Sequence, residues 1–170
     1  MQMVKKLLII LISIWIAIIV FMPKKELYYL LEHQIVKYNV ELNEKTITDT
    51  LFGLDLNKVD VYMSGINLAQ ISNIKFITFL FYNKVNLNQL KIDNSLKSVV
   101  PLNIKDINIT YSIVSPMQLD ISADGDFGEV KGYLDINRTI HLDFIKVGNI
   151  KSLKKELKKN KNGWYYENRI

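Results

Sequence analysis

Sixteen consecutive residues near the N-terminus, Leu7 to Met22, carry no charge and are almost all bulky and apolar. As a helix this run would be about 24 Å long, and flanking residues extend it toward the roughly 30 Å of a bilayer core. Apolar side chains would cover every face of that helix, which a small soluble domain could not bury. The run therefore predicts a membrane anchor over residues 1–23, with candidate lipid-facing side chains at Leu7, Ile10, Ile14, Trp15, Ile18 and Phe21.

A cleaved secretory signal is the alternative interpretation, because Lys5 and Lys6 precede the apolar run as they would in a signal peptide. The run is longer than a usual signal core, and residues 20–24 (VFMPK) offer no cleavage site between small residues. We therefore expect an uncleaved anchor. Lysines lie on both sides of the run, and the N-terminal amine gives a slight preference for the N-terminus inside and the following domain exported.

The remainder of the chain has no cysteine, so disulfides, thiolate metal sites and cysteine nucleophiles are excluded. Residues 40–144 carry thirteen acids and nine bases, whereas residues 145–170 carry eight bases and two acids. The positive net charge therefore belongs to the ends of the chain rather than to its central domain. This distribution argues against nucleic acid as a partner.

Two hydrophobic periods follow the anchor. Apolar residues at spacings of three and four predict a juxtamembrane amphipathic helix over residues 24–39. From residue 40 to residue 147 the period is two, with a shift of phase at Lys58 that indicates a bulge. The run Ile74 to Tyr82 is apolar on both faces, which predicts a central strand or one facing a partner, with candidate contacts at Phe76, Phe79 and Phe81.

Short polar connections between the strands predict a mainly β domain built as one antiparallel meander, because no segment is long enough for a crossover helix. The clearest hairpin turns at Asn137-Arg138. A long sheet with one covering helix is expected to curve around its apolar face, as an open groove or half-barrel. Its last hairpin places these residues on that face, as either core or groove: Val130, Leu134, Ile136, Ile140, Leu142 and Phe144. The basic tail, residues 148–170, is predicted to begin with a short helix through Leu153 and Leu157.

Residues that could carry catalysis are few. The two histidines, His33 and His141, have no second ligand or nucleophile at a useful spacing. The sequence contains no nucleophile elbow, zinc-protease helix or phosphate-binding glycine loop. We therefore expect a protein that is not an enzyme and uses neither cofactor nor metal.

Two repeated strings, DINIT at residues 106–110 and DINRT at 135–139, contain Asn-x-Thr with an acid two residues before the asparagine. This pattern is similar to the acceptor sequon of bacterial oligosaccharyltransferases and makes Asn108 and Asn137 candidate glycosylation sites. Alternation along a strand also places Asp, Asn and Thr together on a polar face without any glycosylation. Both interpretations stay open, and Asn137 in the predicted turn is the more accessible site.

The anchor, the amphipathic helix and the glycine-punctuated sheet together resemble the type II secretion system protein N family and the wider AsmA-like group of envelope proteins. The segments that carry the resemblance are residues 22–42, 51–63 and 125–144, the last with Gly125, Gly128 and Gly132 before the final hairpin. The resemblance implies a curved periplasmic β-sheet on a single-pass anchor in the bacterial inner membrane. It also implies work in secretion or envelope assembly, with no active site to carry over.

Two hypotheses follow from these features. In the first, the β-domain is a scaffold or adaptor in an envelope-spanning machine and docks other envelope or secretion-system proteins through strand edges and the 74–82 segment. In the second, the curved sheet is a lipid carrier that holds acyl chains in its apolar groove. A packed core and a lipid groove require the same alternation of residues, so the sequence alone does not separate these hypotheses.

Overall fold

The computed structural model describes residues 2–93, 103–161 and 163–169. Two helices come first, α1 (Gln2–Phe21) and α2 (Lys24–Val36). The rest of the described chain is mainly β, in ten strands: β1 (Val40–Thr50), β2 (Gly53–Met63), β3 (Ile66–Thr78), β4 (Tyr82–Ile92), β5 (Asn103–Ser112), β6 (Gln118–Gly125), β7 (Gly128–Asp135), β8 (Thr139–Val147), β9 (Lys158–Asn160) and β10 (Gly163–Arg169).

All ten strands form one antiparallel sheet in the order β1-β2-β3-β4-β5-β6-β7-β8-β10-β9. The order follows the chain except that β10 lies between β8 and β9. Within the described residues, β1 and β9 are the two edges of the sheet and do not pair with each other, so the sheet does not close into a barrel. The predicted antiparallel meander is therefore confirmed, as is the β7–β8 hairpin, in which Arg138 has a φ of 62°.

The alternation of buried and exposed residues shifts at matching positions on the adjacent strands β2 and β3. On β2, Leu56 and Val59 are three residues apart and both fully buried, with Lys58 between them at a φ of 53°. Their β3 partners Ile74 and Ile71 are also three residues apart. The phase shift predicted at Lys58 is confirmed, but the bulge predicted there is wrong, because the neighbouring strand shifts with it and the pairing register continues across the break. The register between β2 and β3 shifts instead between Val61 and Tyr62.

The predicted short helix in the basic tail is wrong. Residues 151–156 form hydrogen-bonded turns, and the following segment returns to the sheet as β9 and β10. The spacing of Leu153 and Leu157 fits a helix, but both side chains instead pack, with Trp164, against a buried cluster on β7 and β8. Burial of these apolar side chains against the sheet outweighs the local helical pattern.

The run Ile74–Tyr82 is not one central strand, as the sequence predicted. Strand β3 ends at Thr78, and Tyr82 begins β4. The intervening Leu80 has a φ of 67°, and the Phe79 N–H donates a hydrogen bond to the Tyr82 carbonyl at 2.8 Å, which closes a tight turn. Three of the nine residues in this run therefore belong to a turn rather than to a strand.

Two separate buried clusters lie toward opposite lateral ends of the sheet, one on β2 and β3 and the other on β7 and β8. The α2 cluster packs α2 on β2 and β3, and it contains Tyr28, Leu54, Leu56, Val59, Ile71 and Ile74. The tail cluster contains Phe127, Val130, Phe144 and Ile150. The sheet therefore has one apolar core toward each lateral end, and a different segment of the chain covers each core.

Strand β7 requires glycine at position 132, where the backbone of β8 is very close. A Cβ on Gly132 would lie 1.8 Å from the His141 carbonyl oxygen on β8 and 2.8 Å from the Leu142 Cα. Both contacts are with backbone atoms, which cannot rotate away as the end of a flexible side chain could. Glycine at this position therefore allows β7 and β8 to approach more closely than any other residue would.

We expect Gly132→Ala to lower the free energy of unfolding by about 1–3 kcal/mol, because the new methyl group would force the two strands apart. Urea unfolding of the full chain in detergent, followed by tryptophan fluorescence, measures this change. Gly65→Asn is the control, since no atom lies within 4 Å of its Cβ and asparagine tolerates a φ of 78°. Equal stability of the Gly132→Ala variant and the wild type would contradict the close approach of these strands.

Candidate functional site

Helix α1 is 20 residues long and apolar enough to cross a membrane. A signal sequence near the N-terminus can have the same length and composition. Its length corresponds to about 30 Å, which matches the thickness of a bilayer core. The predicted anchor residues Leu7, Ile10, Ile14, Ile18 and Phe21 are all exposed on this helix, and Trp15 is half-buried. An apolar surface of this extent is suited to a lipid environment.

Helix α2 follows α1 after two residues and is held on the sheet by polar contacts to β1. The Lys25 ammonium lies 2.9 Å from an Asp49 carboxylate oxygen. The Tyr28 hydroxyl donates a hydrogen bond of 3.0 Å to Glu44, and burial together with this bond raises the pKa of Tyr28 well above its ordinary value. Burial and the nearby Glu44 carboxylate also raise the pKa of Glu32. The contacts of Lys25 and Tyr28 hold α2 along β1.

An apolar cavity of about 180 Å³ lies between α2 and strands β2 to β4. Its wall is almost wholly hydrocarbon, and Met22, in the link between the two helices, lines it directly. Two cations, Lys24 and Lys84, also line it. The apolar residues of the wall include Leu27, Leu31, Leu54, Phe76 and Val85.

The apolar face continues from this cavity across the middle of the sheet. Val85 of the cavity wall pairs with Ile109 on β5, and Ile109 pairs with Ile121 on β6. We define the central strip as six partly exposed residues of this face that belong to neither buried cluster: Ile107, Ile109, Ile121, Leu134, Ile140 and Leu142. The strip connects the cavity under α2 to the tail cluster.

The six residues predicted as core or groove divide into three groups. Val130 and Phe144 are buried in the tail cluster. Leu134, Ile140 and Leu142 belong to the central strip. Ile136 is 66% exposed, in the β7–β8 turn. Buried core residues and partly exposed apolar residues are therefore both present on this hairpin, at different positions along it.

The three phenylalanines predicted to contact a partner also separate. Phe76 packs against the α2 cluster, with its ring 6.2 Å from that of Tyr28. The ring of Phe79 lies 5.0 Å from Phe52, which ties the β3–β4 turn to the β1–β2 turn. Phe81 is 55% exposed at the β3–β4 turn.

The opposite face of the sheet is polar and carries a ladder of side-chain amides across β2 to β5. Asn73 donates to Asn57 at 2.9 Å, and Asn88 donates to Asn86 at 2.6 Å. Asn86 donates to Asp106 at 2.7 Å and to Asn108 at 2.9 Å, and Asn108 in turn donates to Asp106. The sequence contains these asparagines, but only the strand register brings them together.

The two candidate glycosylation sites lie in different surroundings. The side-chain amide of Asn108 is half-buried within the ladder, where its nitrogen already donates a hydrogen bond. Asn137 is exposed in the β7–β8 turn. The second asparagine is therefore the one whose side chain is accessible.

His141 on β8 lies in a polar cluster that joins three strands. Its ring nitrogens lie 3.3 Å from Asp143 and 3.1 Å from Glu167 on β10. The ring is stacked between Tyr133 and Tyr165, at centroid distances of 5.7 and 5.4 Å. These contacts attach β10 to the sheet, and within the part of the chain that the structure describes, no group of three or more His, Asp or Glu side chains could hold a metal.

Hydrogen bonds from His141 and Lys158 lower the pKa of Glu167 below its usual value. A carboxylate whose pKa is lowered by folding stabilises the folded state above its unfolded pKa, and this contribution is lost as the pH falls through the folded pKa. We therefore expect the urea midpoint of the wild type to fall more steeply below about pH 4.5 than that of Glu167→Gln. Glu156→Gln, at an exposed position in the 151–156 turn, is the control and should follow the wild type. Parallel curves for the wild type and Glu167→Gln would contradict this role.

Comparisons of this chain with protein-family models, with curated proteins and with solved structures find no match. Its function is therefore inferred from the geometry described above, in which an apolar face begins beside a helix long enough to cross a membrane.

Proposed function

We propose that this chain is a non-enzymatic lipid-binding protein of the bacterial envelope. In this proposal α1 is an uncleaved anchor in the inner membrane, and the sheet lies in the periplasm. The observation that carries the proposal is the continuity of the apolar face, which runs from the cavity at Met22 through Val85 to the central strip. The resemblance to AsmA-like envelope proteins agrees with this function.

The cavity under α2 has the chemistry of an acyl-chain site. Its wall is hydrocarbon, and a phospholipid tail would find few polar groups to desolvate there. Lys24 and Lys84 supply positive charge for the phosphate of the same lipid. Because Met22 follows the last residue of α1, a lipid could reach this site from the bilayer that the anchor occupies.

The central strip extends the site beyond the cavity. Its six side chains are apolar and partly exposed. The residue that follows each of them along its strand is polar. Exposed apolar surface that is contiguous indicates a binding face more often than an accident of composition. Acyl chains lying along the strip would cover it, whereas a single cavity of about 180 Å³ would hold only part of one chain.

A scaffold or adaptor function is the second candidate, and the β1 edge favours it. The sheet ends on one side in β9, a strand of 3 residues that carries Lys158 and Lys159. On the other side it ends in β1, which has 11 residues. Short, lysine-rich edges discourage strand pairing, whereas a long edge can accept a strand from a partner protein.

The lipid proposal predicts that full-length protein, purified from bacterial membranes in mild detergent, carries phospholipid or lipopolysaccharide that native mass spectrometry detects. Leu134→Glu should reduce the bound lipid by about tenfold or more, because an unpaired carboxylate beside acyl chains costs several kcal/mol. The fold should survive, since Leu134 is partly exposed and belongs to neither buried cluster.

Ser122→Glu is the matched control, because it adds the same charge on the polar face, opposite Lys131, and should leave the bound lipid unchanged. If Leu134→Glu unfolds the sheet instead, Leu134 is a core residue, and the central strip no longer supports the lipid proposal. The same purification tests the second candidate. Recovery of one consistent protein partner, with no bound lipid in the wild type, would favour the adaptor.

A further inference from the structure

Four connections of the meander lie at the same end of the sheet. In an antiparallel meander, alternate connections share an end, so the β1–β2, β3–β4, β5–β6 and β7–β8 connections lie together. They comprise residues 51–52, 79–81, 113–117 and 136–138. We call this side of the molecule the anchor end and the other side the far end.

Each connection at the anchor end exposes an apolar side chain. Val114 is 87% exposed and Ile136 is 66% exposed, values far above those usual for such residues. The full set is Leu51, Phe52, Phe81, Ile113, Val114, Met117 and Ile136. The exposed apolar side chains of these four neighbouring turns therefore form a row along the anchor end.

The far end has a different character. Its β6–β7 turn exposes Asp126 and buries Phe127 in the tail cluster. The β2–β3 turn is Ser64-Gly65, with Met63 and Ile66 exposed beside it. Among the described connections, apolar tips at every turn are therefore a property of the anchor end.

Helix α1 also ends at the anchor end. Lys25, at the start of α2, pairs with Asp49, near the end of β1 that leads into the β1–β2 turn. Met22 lines the cavity together with Gly53 and Thr78, which are the first residue of β2 and the last residue of β3. The end of the apolar helix is thus adjacent to the β1–β2 and β3–β4 turns, at one side of the row of apolar tips.

We propose that the anchor-end turns insert their apolar tips into the headgroup region of the same phospholipid bilayer that α1 spans. The partner is a lipid surface, because the tips continue from a helix whose own apolar surface ends at Phe21. This inference rests on the proposed membrane anchorage and adds to it a second contact with the membrane. The contact would hold the sheet upright and place the cavity under α2 at the level of the lipid headgroups.

The absence of cysteine from the sequence permits single-cysteine labelling of the full chain. We would attach a nitrobenzoxadiazole fluorophore at Val114→Cys and, as the control, at Ser64→Cys at the far end. Strand β2 has 11 residues, so the two ends of the sheet are about 36 Å apart. Each protein would be placed in nanodiscs of phosphatidylethanolamine and phosphatidylglycerol, with and without lipids that carry a nitroxide near the headgroup.

The proposal predicts that nitroxide lipids quench the label at position 114 and that aqueous iodide quenches it at least twofold less than the label at position 64. Ile136→Cys should behave like Val114→Cys. Equal iodide quenching at positions 114 and 64 in protein that co-elutes with the discs would overturn this inference alone. Shielding from iodide without quenching by nitroxide lipids would also overturn it, since protein rather than lipid would then cover the tips. Failure to co-elute with the discs would overturn the anchorage as well.

Discussion

The apolar face of this sheet is larger than the segments that cover it, and this constraint governs the rest of the structure. Ten strands at about 4.8 Å spacing extend about 43 Å across the sheet. Helix α2 lies along β1, so across the sheet it covers only the width of one helix, about 10–12 Å. It covers one side of the face, and the segment around Ile150 with Phe127 covers the other. The central strip lies between them and stays partly exposed. We propose that lipid covers it.

The direction of the chain gives this face a defined relation to the apolar helix. The contacts of Lys25 and Tyr28 with β1 orient α2 along that strand, so α1 ends beside the turns that follow β1 and β3. The cavity then lies immediately beyond the apolar helix. The positions of the cavity and of the nearest turns relative to the apolar helix therefore depend on one short connection at Pro23. A longer link would not fix the sheet relative to that helix.

Much of the fold could be predicted from the sequence, because period-two alternation and its shift at Lys58 directly reflect which residues face the core. The errors arose where tertiary packing outweighed a local pattern. Leu153 and Leu157 have helical spacing but pack, partly buried, against the sheet, and the Ile74–Tyr82 run includes a turn that its composition conceals. Register produced what the sequence could not show, including the asparagine ladder and the division of the β7–β8 hairpin into core and strip. The row of apolar turns could have been found by counting which connections share an end.

The most direct test of the lipid-binding account is to locate the lipid on the protein. A phospholipid with a photoreactive diazirine in its acyl chain can be incorporated into membranes that contain the full chain, and the adducts can be mapped by mass spectrometry after irradiation. The account predicts adducts on the cavity wall at Val85 and on the central strip at Ile109 and Ile121, in addition to those on α1. Adducts confined to α1 would show that the apolar face of the sheet does not hold acyl chains, and would contradict the account.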